Sequence, residues 1–302
     1  MPMLDFRVET FLAVCRHMNF TKAARELNIT QPAVSHHMRY LEQAYGTALF
    51  QHNGKRLQLT EAGEILRRTL MTMKHDEQHL QKRMQQAASG TRDYSFGATL
   101  SVAEFMINEA LGRFLQLHPD SHIQMQVADT KVLLSKLDSG ELDFAVVEGD
   151  FPKAEYDFFV FGTEEYVAAG DPEKAARYRG RSLTDLLGEP LLLREEGSGT
   201  RVILEYYLKE HGLAAADFAR TVEIGNIGAI KTLLKSGYGV SFLYRAAIRP
   251  EEATGALGVI ALSDFELRHD IMFLFPKNSN FRADYTTIFR ELRACAEETG
   301  SA

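Results

Sequence analysis

Apolar and polar positions change their rhythm three times along the chain. From residue 20, Ala23, Ala24 and Leu27 are spaced as one face of a helix, with Thr21 as its expected N-cap. Asn28 suits the left-handed conformation that ends a helix, and Thr30 is placed to cap the next. Pro32 then falls in the first turn, where its missing N–H costs nothing. Projected at about 100° per residue, positions 31–42 divide in two. Val34, Met38 and Leu41 share an inward face. His36 and Arg39 point away with Pro32 beside them, and Gln31 and Ser35 flank them. From 64 to 89 the rhythm becomes steps of four and three, through Leu66, Leu70, Met73, Glu77, Leu80, Met84 and Ala87. That is a heptad seam with one polar break, on an uninterrupted helix of roughly 40 Å that Thr60 can cap and Ser89-Gly90 can end. The alternative is a helix packed on its own body. Beyond residue 90, short apolar runs alternate with helical segments, which predicts an α/β body.

The first two helices leave room for a turn of about three or four residues, as in a helix-turn-helix. An exposed face of Gln, Ser, His and Arg can bond base edges and phosphates in a major groove about 12 Å wide. The same face would also suit an ordinary solvated helix. The stretch HNGKRLQLT follows, in which Asn53-Gly54 signals a type I′ hairpin flanked by His52, Lys55 and Arg56. A basic hairpin beside such a helix pair is a wing able to grip phosphates.

Charge sharpens this picture. The chain has 302 residues and a formal net charge of −7. Residues 1–90 hold 12 Lys and Arg against 8 Asp and Glu, and six of the ten histidines. A basic head on an acidic body points to polyanion binding by the head. Apolar content of 45% and charged content of 25% are those of a globular protein. No run approaches a membrane span, the first residues lack a secretory pattern, and only Cys15 and Cys295 are present. A reducing cytoplasm is therefore expected, with no cysteine-rich metal site. His36 and His37 point in different directions on one helix and make no metal pair.

In the body, four strand-like runs each lead into a helix opening on a polar residue. These are Ser101, Thr130, the stretch Ser198-Gly199-Thr200, and Asn226. Helix N-termini offer N–H donors and partial positive charge, and ligands of open α/β sheets bind at strand carboxyl ends. Such residues are also simply the preferred caps. Glu148, after the run FAVV, would either line a cleft or lie in solvent on a loop. Arg201 is the one basic side chain expected near an anion there.

The stretch FTKAARELNITQPAVSHHMRYLEQAYGTALF, with GKRLQLTEAG after it, resembles the winged helix-turn-helix of LysR-type transcriptional regulators from about residue 4 to 66. LDFAVVEG, LREEGSGTR and IKTLLKSGYGVSFL resemble segments of the same family's body. The resemblance implies Thr30, Gln31, Pro32, Ser35, His36 and Arg39 as operator contacts, with Lys55 and Arg56 in the wing. His52 stands where the family usually has Arg, which weakens one phosphate contact. It also implies a winged head at 1–60, a linker helix for dimerisation at 61–90, and an effector domain at 91–302. That last part is an α/β, two-lobed domain of the type 2 periplasmic-binding-protein kind. Lobe I takes about 91–161 and 267–302, and lobe II takes 162–266, with crossings near Phe161-Gly162 and Asp264–Arg268. A small, anionic effector would meet Ser101, Thr130, Glu148, Ser198, Thr200 and Asn226, although Glu148 would instead suit a group bearing an amine. The expected partners are promoter DNA, a second copy as homodimer or homotetramer, and the effector, with RNA polymerase a further candidate. No cofactor, metal or catalytic residue is expected. An enzyme is the weaker reading, since GSGT lacks the GK[ST] ending and no HExxH or GxSxG occurs. A solute-binding protein would leave the head and seam unexplained.

Overall fold

The computed structural model describes residues 4–54 and 56–299, so Lys55 lies outside the described residues. The head packs three helices, α1 (Phe6–His17), α2 (Phe20–Glu26) and α3 (Gln31–Tyr45), around Phe11, Val14, Val34, Met38 and Leu49. Ala23 and Ala24 of α2 are buried and, lacking bulk, let the helices approach closely. Asn28 takes φ 54°, and Thr30 caps α3 by accepting from Ala33 N at 3.3 Å. The cap of α2 is Asn19, whose Oδ1 accepts from Lys22 N at 2.9 Å. Thr21 lies inside the helix because Phe20 opens it, anchored edge-on against Phe50. The wing pairs β1 (Phe50–Asn53) with β2 (Arg56–Leu59). Asn53 faces Arg56, and Gly54 at φ 62° takes the first corner. The turn thus lies one residue later than Asn53-Gly54 suggested.

The linker α4 (Glu61–Ser89) runs 29 residues from the Thr60 cap to Gly90 at φ 74°. Its predicted seam divides. Leu66 and Leu70 belong to the head's own core, whereas Met73 and Met84 are exposed at 47% and 67%. Another stripe of the helix docks on the body through Arg67 with Glu155, Thr72 with Lys277 O, and Asp76 with Ser279 and Asn280. Further along that stripe, His75 meets Leu142 O, and both His79 and Lys82 meet Asp143. The helix therefore packs on its own chain along one side and leaves an apolar stripe on another.

The body continues with β3 (Arg92–Ala98), α5 (Leu100–Phe105), α6 (Asn108–Leu117), β4 (Ser121–Val127), α7 (Thr130–Ser139) and β5 (Phe144–Val147). The long β6 (Tyr156–Gly170) then crosses to α8 (Pro172–Arg177), β7 (Pro190–Leu193), α9 (Gly199–Glu210), β8 (Arg220–Glu223), α10 (Ile227–Lys235) and β9 (Val240–Tyr244). After α11 (Arg249–Ala253) and β10 (Gly258–Val259), β11 (Leu267–Pro276) returns antiparallel to β6, and α12 (Arg282–Thr299) closes the fold. The strands run in the order β4-β3-β5-β11-β6-β9-β7-β8, with β10 on β6. Two parallel groups, β4-β3-β5 and β9-β7-β8, thus form two lobes joined by the β6–β11 pair. The β6–β11 register slips between Ile271 and Met272, opposite Gly162 and Val160. Stacked Phe96, Phe144 and Phe273, entirely enclosed, fill the core of the first lobe.

Candidate nucleic-acid interface and ligand cleft

On α3, Val34, Met38 and Leu41 are buried, and Gln31, Pro32, His36 and Arg39 face solvent. Ser35 is half-buried on the same outer side. Gln31 Nε2 donates to Ser35 Oγ at 2.9 Å, and Arg39 Nε reaches Ser35 O at 3.4 Å. Both long side chains are tethered only to Ser35 of the same helix, so a base edge or phosphate can displace those bonds. Neighbouring His37 has another task, with Nδ1 2.9 Å from Thr10 Oγ1 and its ring edge-on to Phe6. It ties α3 to α1. Thr30 is exposed beside the face, and Arg56 and His52 stand exposed in the wing.

The carboxyl ends of the body strands meet between the lobes, where Glu148 follows β5. It is no solvated loop acid: only 2% of it is exposed. Thr99 Oγ1 donates to its carboxylate, and Thr130 Oγ1 donates to its backbone oxygen at 3.2 Å. From the other lobe, the start of α9 comes so close that a Cβ on Gly199 would lie 3.2 Å from Glu148 Cγ. Burial pushes the Glu148 carboxyl up from its ordinary value, against the pull of Thr99, Ser101 and Arg194. The hollow here measures about 210 Å³, with Thr99, Asp129, Glu148, Arg194, Glu195 and Ser198 in its wall. A larger hollow of about 460 Å³ lies between α4 and the residues that dock it, including Asp76, Glu155 and Asn280. It is a groove left by domain packing.

Three expected caps move by a residue or two. Asp129 caps α7 through Val132 N at 2.9 Å, leaving Thr130 as the first helical residue with its hydroxyl free for Glu148 O. Thr99 precedes α5, so Ser101 lies within that helix, 1% exposed. Ser198 precedes α9, and its hydroxyl meets Thr200 Oγ1 at 2.8 Å instead of capping the helix. Asn226 does cap α10, accepting from Ala229 N at 2.9 Å, but stands exposed with its oxygen committed there. Arg201 is not in the wall of the hollow and is committed to Glu205 and Glu223, both at 2.7 Å, and to Arg194 O at 3.2 Å.

The comparisons with known proteins follow this division of the chain. Residues 7–64 match the bacterial regulatory helix-turn-helix protein, lysR family, and residues 88–295 match the LysR substrate binding domain. The chain is a LysR-type transcriptional regulator. It is 29% identical over 273 residues to the transcriptional activator CmpR of Synechocystis, covering 89% of this chain and 88% of that one. In fold it resembles full-length LysG of Corynebacterium glutamicum, solved with bound effector Arg, at a TM-score of 0.61 and 18% identity. That likeness covers 98% of this chain and 99% of LysG. The CcmR regulatory domain of Synechocystis PCC6803 in complex with 2-PG gives the same TM-score at 20% identity, over 68% of this chain and 98% of the domain.

Four polar residues in the wall of the hollow escaped sequence reasoning for this LysR-type regulator, Thr99, Asp129, Arg194 and Glu195. Thr99 and Arg194 directly follow a strand, as Glu148 does, and Asp129 and Glu195 lie a residue further on. Applying the strand-end rule to every run would have found them. Among the described residues no helix is long and apolar enough to cross a membrane, and no cluster of three His, Cys, Asp or Glu could hold a metal ion.

Proposed function

We propose that this regulator reads promoter DNA with Gln31, Ser35, His36 and Arg39 of α3. Thr30 and Pro32 pack at the groove edge, and Arg56 with Lys55 grips phosphates from the wing. The observation that carries this reading is the two-faced α3, apolar side buried and polar side tethered only to itself. Two copies pair through the exposed stripe of Ile65, Met73 and Met84 on α4. A small molecule enters the hollow at Glu148 and Ser198, with Thr130 holding the Glu148 backbone from behind, and shifts operator binding; the complexes named for LysG and CcmR support an effector in a body of this fold. The protein then acts in the cytoplasm, where promoter DNA is.

The test is selection of bound sequences from random DNA, followed by titration of the selected site and of scrambled DNA. Gln31→Ala and Ser35→Ala reduce discrimination by roughly tenfold, the weight of about 1–3 kcal/mol for one base contact. Arg56→Ala weakens both DNAs nearly equally and lowers the salt slope by about one. A Gln31→Ala protein with the wild-type ratio would remove the base-reading role.

A further inference from the structure

The linker helix α4 meets the body through two buried histidines whose surroundings call for unequal numbers of protons. His75 and His79 are 1% and 6% exposed, one turn apart, with their rings stacked at 6.4 Å between centroids. His75 Nε2 lies 3.0 Å from Leu142 O, which can only accept, so that nitrogen carries the hydrogen. Its Nδ1 bonds to nothing among the described residues, and Asp76 Oδ1, 3.9 Å away, already accepts from Ser279. One proton therefore satisfies His75. His79 instead has a carboxylate on each side. Nδ1 lies 3.2 Å from Asp143 Oδ1, and Nε2, which has no hydrogen bond among the described residues, faces Asp284 Oδ2 at 3.6 Å. A neutral ring would turn a lone pair toward one carboxylate or the other.

The charged and titratable groups around His79 come from four directions. On α4 these are Asp76, Lys82 and Arg83; Asp143 stands before β5; and α12 brings Asp284 with Tyr285, whose buried phenol stays neutral. Arg92 and Asp93 of β3 line the same hollow of about 220 Å³. Lys82 meets Asp143 at 2.9 Å and Arg83 meets Asp284 at 3.1 Å, but these cations are 31% and 49% exposed and can turn to water. The enclosed ring cannot.

We propose that His79 carries a second proton, as an imidazolium bridging Asp143 and Asp284, and that this proton makes the joint between linker helix and body sensitive to pH. Burial opposes the charge, and the two flanking carboxylates favour it. His75 stays neutral, because a second cation on the stacked ring would be repelled. The docked helix thus binds one more proton than an undocked helix whose His79 meets water. By linkage the joint is firm up to neutral pH and loosens as pH rises further. The proton sets how tightly the helix that carries the head is held.

Two measurements on the full chain test this. Nitrogen NMR of isotope-labelled histidine, with His79 assigned by the signal lost in His79→Gln, is expected to show both His79 nitrogens protonated at neutral pH and His75 protonated at Nε2 alone. Trypsin cleavage after Lys82 and Arg83 requires the helix to undock and open locally. Relative to an unfolded peptide with the same sites, it is expected to quicken roughly tenfold between about pH 7 and pH 9. His79→Gln is cut at the fast rate throughout. Asp284 is 35% exposed, so Asp284→Asn keeps the fold even where His79→Gln does not; it shifts the His79 signal, which assigns it, and moves the loosening to lower pH. A His79 ring with one proton at neutral pH overturns the proposal. So does a wild-type cleavage ratio that is flat with pH, or one that Asp284→Asn leaves unchanged.

Discussion

Asp143 is the joint between the linker helix and the body, and its removal should be felt throughout the molecule. It sits just before β5, 2% exposed, and one oxygen takes Lys82 Nζ at 2.9 Å and His79 Nδ1 at 3.2 Å. The other oxygen accepts from the backbone N–H of Ser95 at 2.7 Å, locking β3 to the start of β5. Burial alone would raise this carboxyl, but the bond from His79, the charge of Lys82 and the N–H of Ser95 hold it below the ordinary aspartate range. Asp143→Ala leaves the half-buried Ser95 N–H without its acceptor, a cost at the lower end of about 1–3 kcal/mol. Breaking a fully buried ion pair costs about 3–5 kcal/mol, yet Lys82 is 31% exposed and can turn to water, so only part of that applies. A total near 2–4 kcal/mol is expected, or roughly 5–15 °C in the body's melting temperature. Scanning calorimetry, which can separate the body's transition from the head's, reads this directly. The pH dependence adds a check of sign. A depressed folded value means that this stabilisation is complete above the unfolded aspartate value, near 4, and is lost as pH falls through the lower folded value. Asp143→Asn should therefore flatten the wild-type loss of stability below about pH 4. A change under about 0.5 kcal/mol in Asp143→Ala, with wild-type acid sensitivity retained, would refute the reasoning.

The split faces of α4 separate two mutations that periodicity alone would treat alike. Met73→Glu with Met84→Glu, both on the exposed stripe, should turn the proposed dimer into monomers by sedimentation while each chain keeps its fold. Leu70→Glu places a charge in the head's core and should unfold the head instead, lowering its helical circular dichroism. At the wing junction, Gly63 lies where a Cβ would meet Leu49 O at 2.1 Å and Leu59 Cδ2 at 2.8 Å. The carbonyl belongs to backbone and cannot swing aside, so Gly63→Ala should destabilise the head by about 1–3 kcal/mol in urea titration, and an unchanged midpoint would contradict this packing.

Whatever depends on the chain's own period was legible before any coordinates. The inward set Val34, Met38 and Leu41 and the outward set Gln31, His36 and Arg39 follow from the helical repeat, because both sets lie on one short segment. Caps at Thr30, Thr60 and Asn226, and the alternation of strands and helices in the body, are similarly local. Pairing across long separations was not. Thr99 and Glu148 are 49 residues apart and meet only because β3 and β5 lie side by side. Sequence reasoning placed Arg201 near an anion and passed over Arg194. The end of β7 puts Arg194 in the wall of the hollow, while the first turn of α9 commits Arg201 to Glu205 and Glu223. The heptad steps of α4 likewise state that a stripe is apolar, but not what will cover it. Leu70 is taken by the head, and Met84 is left exposed. A residue's period is written in its neighbours along the chain, whereas its partner is decided by whichever distant element packing brings within a few ångströms.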